Sequence, residues 1–106
     1  MQKQEDAFVS GGLRIDYETK RVYVEGKEIK LQTLEYKLLC YLVGRKNCIV
    51  SKEELFEKVW DSPIISDGTL NVHIRHLREK IEVNPNEPKW ITTVWGRGYL
   101  FEDKSQ

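Results

Sequence analysis

The residues best equipped for chemistry lie in the stretch 69–81, TLNVHIRHLREKI. Three fixed cations, Arg75, Arg78 and Lys80, stand there against one carboxylate, Glu79, together with the titratable imidazoles of His73 and His76. Guanidinium and imidazole groups donate hydrogen bonds to oxyanions and to the acceptor edges of bases. A second set, Trp95, Arg97 and Tyr99, surrounds Gly96 and Gly98 near the C-terminus, and an arginine at a hairpin tip is well shaped to enter a minor groove. Other chemistries are poorly served. His73, His76 and Glu79 recur on a basic helix with no cysteine nearby, which makes a poor zinc site. Gly96 and Gly98 do not extend to GxGxxG and precede a strand, so a nucleotide loop is disfavoured. No GxSxG, HExxH or Cys-His nucleophile pattern occurs, and no catalytic residue, cofactor or metal is expected.

The element carrying the first set reads as a helix with one apolar seam. At 100° per residue, Leu70, Ile74, Leu77 and Ile81 fall within a narrow arc that must face a core. Opposite them lie Thr69, Val72, Arg75, His76 and Glu79, with Asn71 and Arg78 bordering one side and His73 and Lys80 the other. Val72 is a β-branched apolar residue on a polar face. A thymine methyl would give it a partner, and Arg pairs with guanine, so Thr69, Val72, Arg75 and His76 form a base-facing set. Arg78, at the edge, suits a phosphate better.

The remaining elements follow from periodicity. Between residues 13 and 31 apolar side chains recur at every second position, Leu13, Ile15 and Tyr17, then Val22 and Val24, then Ile29 and Leu31, which reads as three short antiparallel strands. The period then becomes helical through Leu34, Leu38, Leu39, Leu42 and Val43, with Thr33 as the expected N-cap. Ser51 and Glu54 form an S-x-x-E capping box ahead of a second helix carrying Leu55, Phe56 and Val59. The third helix is expected to begin with Asp67 as its N-cap and to continue until Asn84 and Pro85. Residues 89–101 then read as a β-hairpin around Gly96 and Gly98. Two helices joined by a short segment and followed by a hairpin match a helix-turn-helix with a wing.

Composition limits the function classes. A chain of 106 residues, 40% hydrophobic and 32% charged, encloses one modest core. It is read as a single domain over 1–106, with an ordered core at about 12–102 and frayed termini. Lys plus Arg equals Asp plus Glu at 17 each, so any nucleic-acid affinity must come from a local basic face, not from net charge. The second helix is acidic by contrast, with Glu53, Glu54 and Glu57 against Lys52 and Lys58. No apolar run approaches the roughly 20 residues that span a bilayer and no signal-peptide core opens the chain, so a cytoplasmic location without membrane partners is expected. Cys40 and Cys48 lack metal or redox spacing and read as reduced thiols, Cys40 in the core.

Val59 and Trp60, TLNVHIRHLREKIE (69–82) and TTVWGRGYLF (92–101) together resemble the effector domain of OmpR/PhoB-type response regulators, over nearly the whole stretch 12–101. The resemblance implies an α+β winged helix-turn-helix with a four-stranded N-terminal antiparallel sheet, three helices and a C-terminal wing, and hence one strand beyond the three read from periodicity. It implies an output domain of a two-component system, not an enzyme, that binds double-stranded DNA sequence-specifically as a tandem pair on direct repeats. It adds His73 to the DNA-facing positions on the phosphate side with Arg78, and implies that Trp60 and Thr93 touch backbone phosphates while Trp95 and Arg97 in the wing reach the minor groove. It further implies that the loop of Asp61, Ser62, Pro63, Ile64, Ile65 and Ser66 can contact RNA polymerase, and that a receiver domain, absent from this chain, takes its signal from a cognate histidine kinase. His76 and Trp95 stand where such domains often carry arginine, so the target sequence does not transfer. The neutral net charge leaves an alternative, a winged helix used for protein interaction without direct DNA readout.

Overall fold

The computed structural model describes residues 6–61 and 66–104. Four short strands, β1 (Ala7–Ser10), β2 (Leu13–Asp16), β3 (Arg21–Val24) and β4 (Lys27–Ile29), form an antiparallel meander in sequential order. Register sets Ile15 opposite Val22 and Val22 opposite Ile29, which puts the alternating apolar residues on one face. The fourth strand implied by the family resemblance is β1. It pairs with β2 from Ala7 opposite Asp16 to Ser10 opposite Leu13, so the ordered core starts earlier than residue 12. Its sequence, AFVS, does not alternate: both Phe8 and Val9 are apolar, and Val9 faces outward. Tyr17 and Leu31 fall just beyond the ends of β2 and β4.

Helix α1 (Thr33–Gly44) buries Leu38, Leu39, Leu42 and Val43. Its N-cap is Gln32, one residue before the expected Thr33, because the Glu35 carboxylate reaches back to accept the Gln32 N–H at 2.9 Å. Cys40 is half-buried at the edge of the core and Cys48 is exposed, both as free thiols. After a two-residue strand, β5 (Ile49–Val50), helix α2 (Lys52–Leu55) widens into a π-helical segment, Phe56–Trp60. Ser51 Oγ accepts the Glu54 N–H at 3.1 Å as expected of a cap. The Glu54 carboxylate does not complete the box; it takes hydrogen bonds from Tyr41 Oη and Arg45 Nη1 and so ties α2 to the end of α1. The helix stops at Asp61, whose left-handed φ of 57° an aspartate tolerates.

Helix α3 (Asp67–Ile81) is capped by Ser66, whose Oγ accepts the Thr69 N–H at 3.1 Å. Asp67, expected as the cap, is the first helical residue and pairs with Lys52 at 2.9 Å. The helix ends at Ile81, ahead of Asn84, because Glu82 turns to extended geometry and buries its carboxylate under the following segment. That carboxylate accepts the backbone N–H groups of Lys89, Trp90 and Ile91 at 2.7–3.0 Å and delivers the chain into β6 (Ile91–Val94). Strand β7 (Gly98–Phe101) lies between β6 and β5 in a second antiparallel sheet. A Cβ at Gly98, where φ is +142°, would stand 2.0 Å from the Val50 carbonyl oxygen, so β7 can approach β5 only with glycine at this position.

The core lies between the two sheets and the three helices. Leu13, Ile15, Leu38, Leu39, Leu42, Leu55, Leu70, Ile74, Leu77, Ile81, Ile91 and Phe101 are fully buried, and the expected seam of α3 is among them. Phe8 packs edge-on against Phe101 at 5.8 Å. Ser10 Oγ joins the sheets by accepting the Trp90 indole N–H and the Lys104 backbone N–H.

Candidate nucleic-acid interface

With its seam buried, α3 presents two flanks and an outer face, and each flank meets a different neighbour. On the helix side, His73 Nδ1 lies 2.8 Å from the Thr69 carbonyl oxygen. A carbonyl only accepts, so Nδ1 carries the proton and Nε2 is the ring nitrogen left to meet a ligand. The His73 ring stands edge-on to Trp60 at 5.4 Å, and Trp60 in turn packs against Phe56 at 6.4 Å. The π-helical turn thus brings Trp60 beside His73, two of the expected phosphate-side residues. Further along the same flank Lys80 Nζ reaches the buried Glu35 carboxylate at 2.6 Å. Burial acts to raise the Glu35 pKa, but hydrogen bonds from Lys80 and from the Gln32 N–H, with the nearby positive charge, outweigh it and hold the carboxyl below its ordinary value.

On the opposite flank α3 meets the hairpin. Arg78 Nε donates to the Ile91 carbonyl and Nη2 to Thr93 Oγ1, both at 2.8 Å, and its guanidinium lies 6.0 Å from the centre of the Tyr99 ring. Arg78 is therefore not the freely solvated edge residue of the helical wheel: it is half-buried and braces the wing, with Thr93 as its partner. Desolvation pulls its pKa below the ordinary arginine value. Two turns closer to the start of α3, Asn71 Oδ1 accepts the Tyr99 hydroxyl proton at 2.7 Å. Tyr99 is buried, and burial pushes its phenol pKa up. Of the two aromatics flanking the hairpin tip, Tyr99 covers the core, whereas Trp95 is 89% exposed and projects with Arg97 from the turn. Gly96, at φ +77°, makes that turn possible, and the Arg97 N–H closes it onto the Val94 carbonyl at 2.9 Å.

Between α3 and the hairpin runs an open groove of about 540 Å³, lined among others by Asn71, Arg75, Arg78, Thr93, Trp95 and Arg97. On the outer face Val72, Arg75 and His76 are exposed; Val72 keeps 37% of its surface open to solvent, too much for a core residue. Thr69 is half-buried and shares its hydroxyl with Ser66 Oγ at 3.0 Å. Asp61 and Ser66 bound the expected polymerase-contact loop, while Ser62, Pro63, Ile64 and Ile65 lie outside the described residues. Arg75 and Arg78 of α3 and Arg97 of the hairpin tip therefore line one cleft, whereas Thr69, Val72 and His76 lie outside its lining.

Residues 26–101 match the family described as "Transcriptional regulatory protein, C terminal". The chain belongs to that family. Similar relatives include YrkP of Bacillus subtilis (strain 168), described as an uncharacterized transcriptional regulatory protein, with 46% identity over 103 residues covering 94% of this chain and 45% of the relative. The regulatory protein VanR of Enterococcus faecium is 39% identical over 103 residues, covering 95% of this chain and 45% of VanR. The chain thus spans less than half the length of these two relatives. Among solved structures, the response regulator DrrB of Thermotoga maritima, an OmpR/PhoB homolog, superposes with a TM-score of 0.86 at 33% identity over 93% of this chain and 45% of DrrB. The Klebsiella pneumoniae RstA DNA-binding domain, in complex with the RstA box, superposes with a TM-score of 0.81 at 29% identity, covering 92% of this chain and 98% of that one. The expected OmpR/PhoB type and its α+β winged-helix fold are borne out, and the effector domain is a DNA-binding output domain for transcription regulation, which is not an enzyme class. Among the described residues no helix is long and apolar enough to cross a membrane.

Two features of the effector domain escaped the sequence. Glu82 carries no local signal that sets it apart from the other carboxylates, yet it organises the entry to the hairpin through partners seven to nine residues on. The Asn71–Tyr99 bond joins residues 28 positions apart, and no local pattern signals it.

Proposed function

We propose that the effector domain reads double-stranded DNA with α3 in the major groove and the hairpin tip in the adjacent minor groove. Thr69, Val72, Arg75 and His76 face the bases, Trp60, His73, Arg78 and Thr93 face phosphates, and Trp95 with Arg97 forms the minor-groove contact. The observation that carries this reading is the shared cleft: Arg75 on α3 and Arg97 on the tip line one groove, and the Arg78–Thr93 brace fixes their spacing. The likeness to a DNA-binding domain solved on its box supports the same placement. One module buries limited surface, so two copies on direct repeats are the binding form, with affinity gained from joint engagement. In the whole regulator a receiver domain, phosphorylated through a cognate histidine kinase, controls that pairing, and the segment 61–66 supplies a contact to RNA polymerase.

Titration of labelled duplex across a salt series tests the reading. Binding should weaken linearly in log–log form as salt rises, through release of counterions from contacted phosphates. Absence of binding at low salt, or binding without that slope, would reject it. Arg75→Ala should erase the preference at the base pair that Arg75 reads; if it left a protein partner bound and no duplex mattered, the protein-interaction alternative would stand instead.

A further inference from the structure

The flank of α3 that faces the hairpin carries Asn71, Arg75 and Arg78 at i, i+4 and i+7, a continuous stripe along the cleft. Arg78, at the far end, is occupied with Ile91 and Thr93. Asn71 stands in the first half of the helix, where residues of a recognition helix reach base edges, and its side chain is exposed. A carboxamide has an acceptor end and a two-donor end. Here the acceptor end is anchored: Tyr99 Oη donates to Asn71 Oδ1 at 2.7 Å, which occupies one of the oxygen's two lone pairs and holds it toward the hairpin. The Tyr99 ring is buried beneath the braced Arg78 guanidinium, so the hydroxyl is a fixed anchor and the amide NH₂ is the open end of Asn71. An unrestrained asparagine reads adenine bidentately, using its oxygen for N6 and its nitrogen for N7. An asparagine held by its oxygen has donors to offer, and the major-groove edges that answer donors alone are guanine N7 and O6 and thymine O4.

We propose that Asn71 is a further base-reading residue, a specificity determinant for an acceptor atom on a guanine or thymine edge, given that polarity by the Tyr99 hydroxyl. This rests on the major-groove reading of α3 above. The Asn71 contact falls on the base pair next to the one read by Arg75. Its polarity belongs to the pair, not to the asparagine: the same residue without the phenol hydroxyl would recover adenine.

Selection of the 106-residue chain on randomised duplexes decides the matter, with Val72→Ala and Arg75→Ala run alongside, and with thermal melts confirming that each variant is folded. Wild type should select guanine or thymine at one position beside that altered by Arg75→Ala. Asn71→Asp keeps an acceptor for Tyr99 but replaces the donors by a carboxylate oxygen. It should move that position toward cytosine, whose N4 amino group donates, by about tenfold. Tyr99→Phe should admit adenine there while leaving the Val72 position unchanged. Weaker binding to all duplexes alike in Asn71→Asp, with the motif intact, would assign Asn71 to a phosphate and overturn the inference. A motif and affinity both unchanged would make it a solvated residue and overturn it equally. If Val72→Ala altered the motif and Asn71→Asp did not, the groove reading would survive and the Asn71 assignment alone would fall; if wild type selected nothing, both would.

Discussion

Replacing Arg78 by alanine separates a brace from a simple phosphate contact. A solvated surface arginine contributes within about 0.5 kcal/mol to stability. Arg78 instead makes two hydrogen bonds at 2.8 Å from a half-buried guanidinium, one to the backbone carbonyl of the fully buried Ile91 and one to the exposed Thr93 hydroxyl. Water can replace the arginine at Thr93, so that bond contributes about 0.5 kcal/mol, whereas the charged donor lost at Ile91 costs about 1.5 kcal/mol. The total, about 2 kcal/mol, corresponds to a fall in Tm of roughly 10 °C for a domain of this size. Urea unfolding followed by far-ultraviolet circular dichroism measures it, and the midpoint should drop with little change in slope. Arg78→Lys, which keeps the charge but not the fork, should recover less than half of the loss. In DNA titrations Arg78→Ala should weaken every duplex alike. A stability loss below about 0.5 kcal/mol would refute the brace and return Arg78 to the role the helical wheel assigned it.

Other substitutions probe other levels of the structure. Gly98→Ala drives a methyl to 2.0 Å from the Val50 carbonyl at φ +142°, and should cost about 3 kcal/mol or more, leaving the domain largely unfolded in a thermal scan; a native-like melt would contradict the β5–β7 approach. Glu35, with its carboxyl pKa held below the ordinary 4.5, contributes stability that is fully present above that value and is lost as pH falls through the lower folded value. Glu35→Gln should therefore flatten the acid limb of the stability–pH curve, and a limb unchanged from wild type would remove the Lys80 pair from the account. Val72→Ala deletes two methyl groups from a partly exposed side chain and should relax preference at one thymine by about fivefold, roughly 1 kcal/mol, in a selected-binding experiment. An unchanged thymine preference would move the base-reading face elsewhere.

Much of this was legible in the sequence because it rests on local periodicity. The 3.6-residue spacing of Leu70, Ile74, Leu77 and Ile81 defines a buried seam whatever the seam packs against, and with it the outward direction of Val72, Arg75 and His76. The two-residue alternation from Leu13 to Ile29 specifies three strands in the same way, and Ser51 announces its helix by the geometry of its own side chain. Strand β1 was absent from that pattern since its residues do not alternate; it exists because β2 offers a free edge to pair with.

What the tertiary structure decided is the partner of each side chain that leaves its own element. The charge of Arg78 was visible, but its engagement depends on β6 lying beside α3, which the buried Glu82 carboxylate brings about by gathering three N–H groups of the preceding segment. Lys80 and His73 border the same flank of the wheel, yet one meets Glu35 of α1 and the other Trp60 at the end of the π-helical segment. Hydrogen bonds and ring contacts reach only a few ångströms, so their partners are chosen by which elements the buried apolar faces bring together. Periodicity tells which side of a helix is outside; packing tells what waits there.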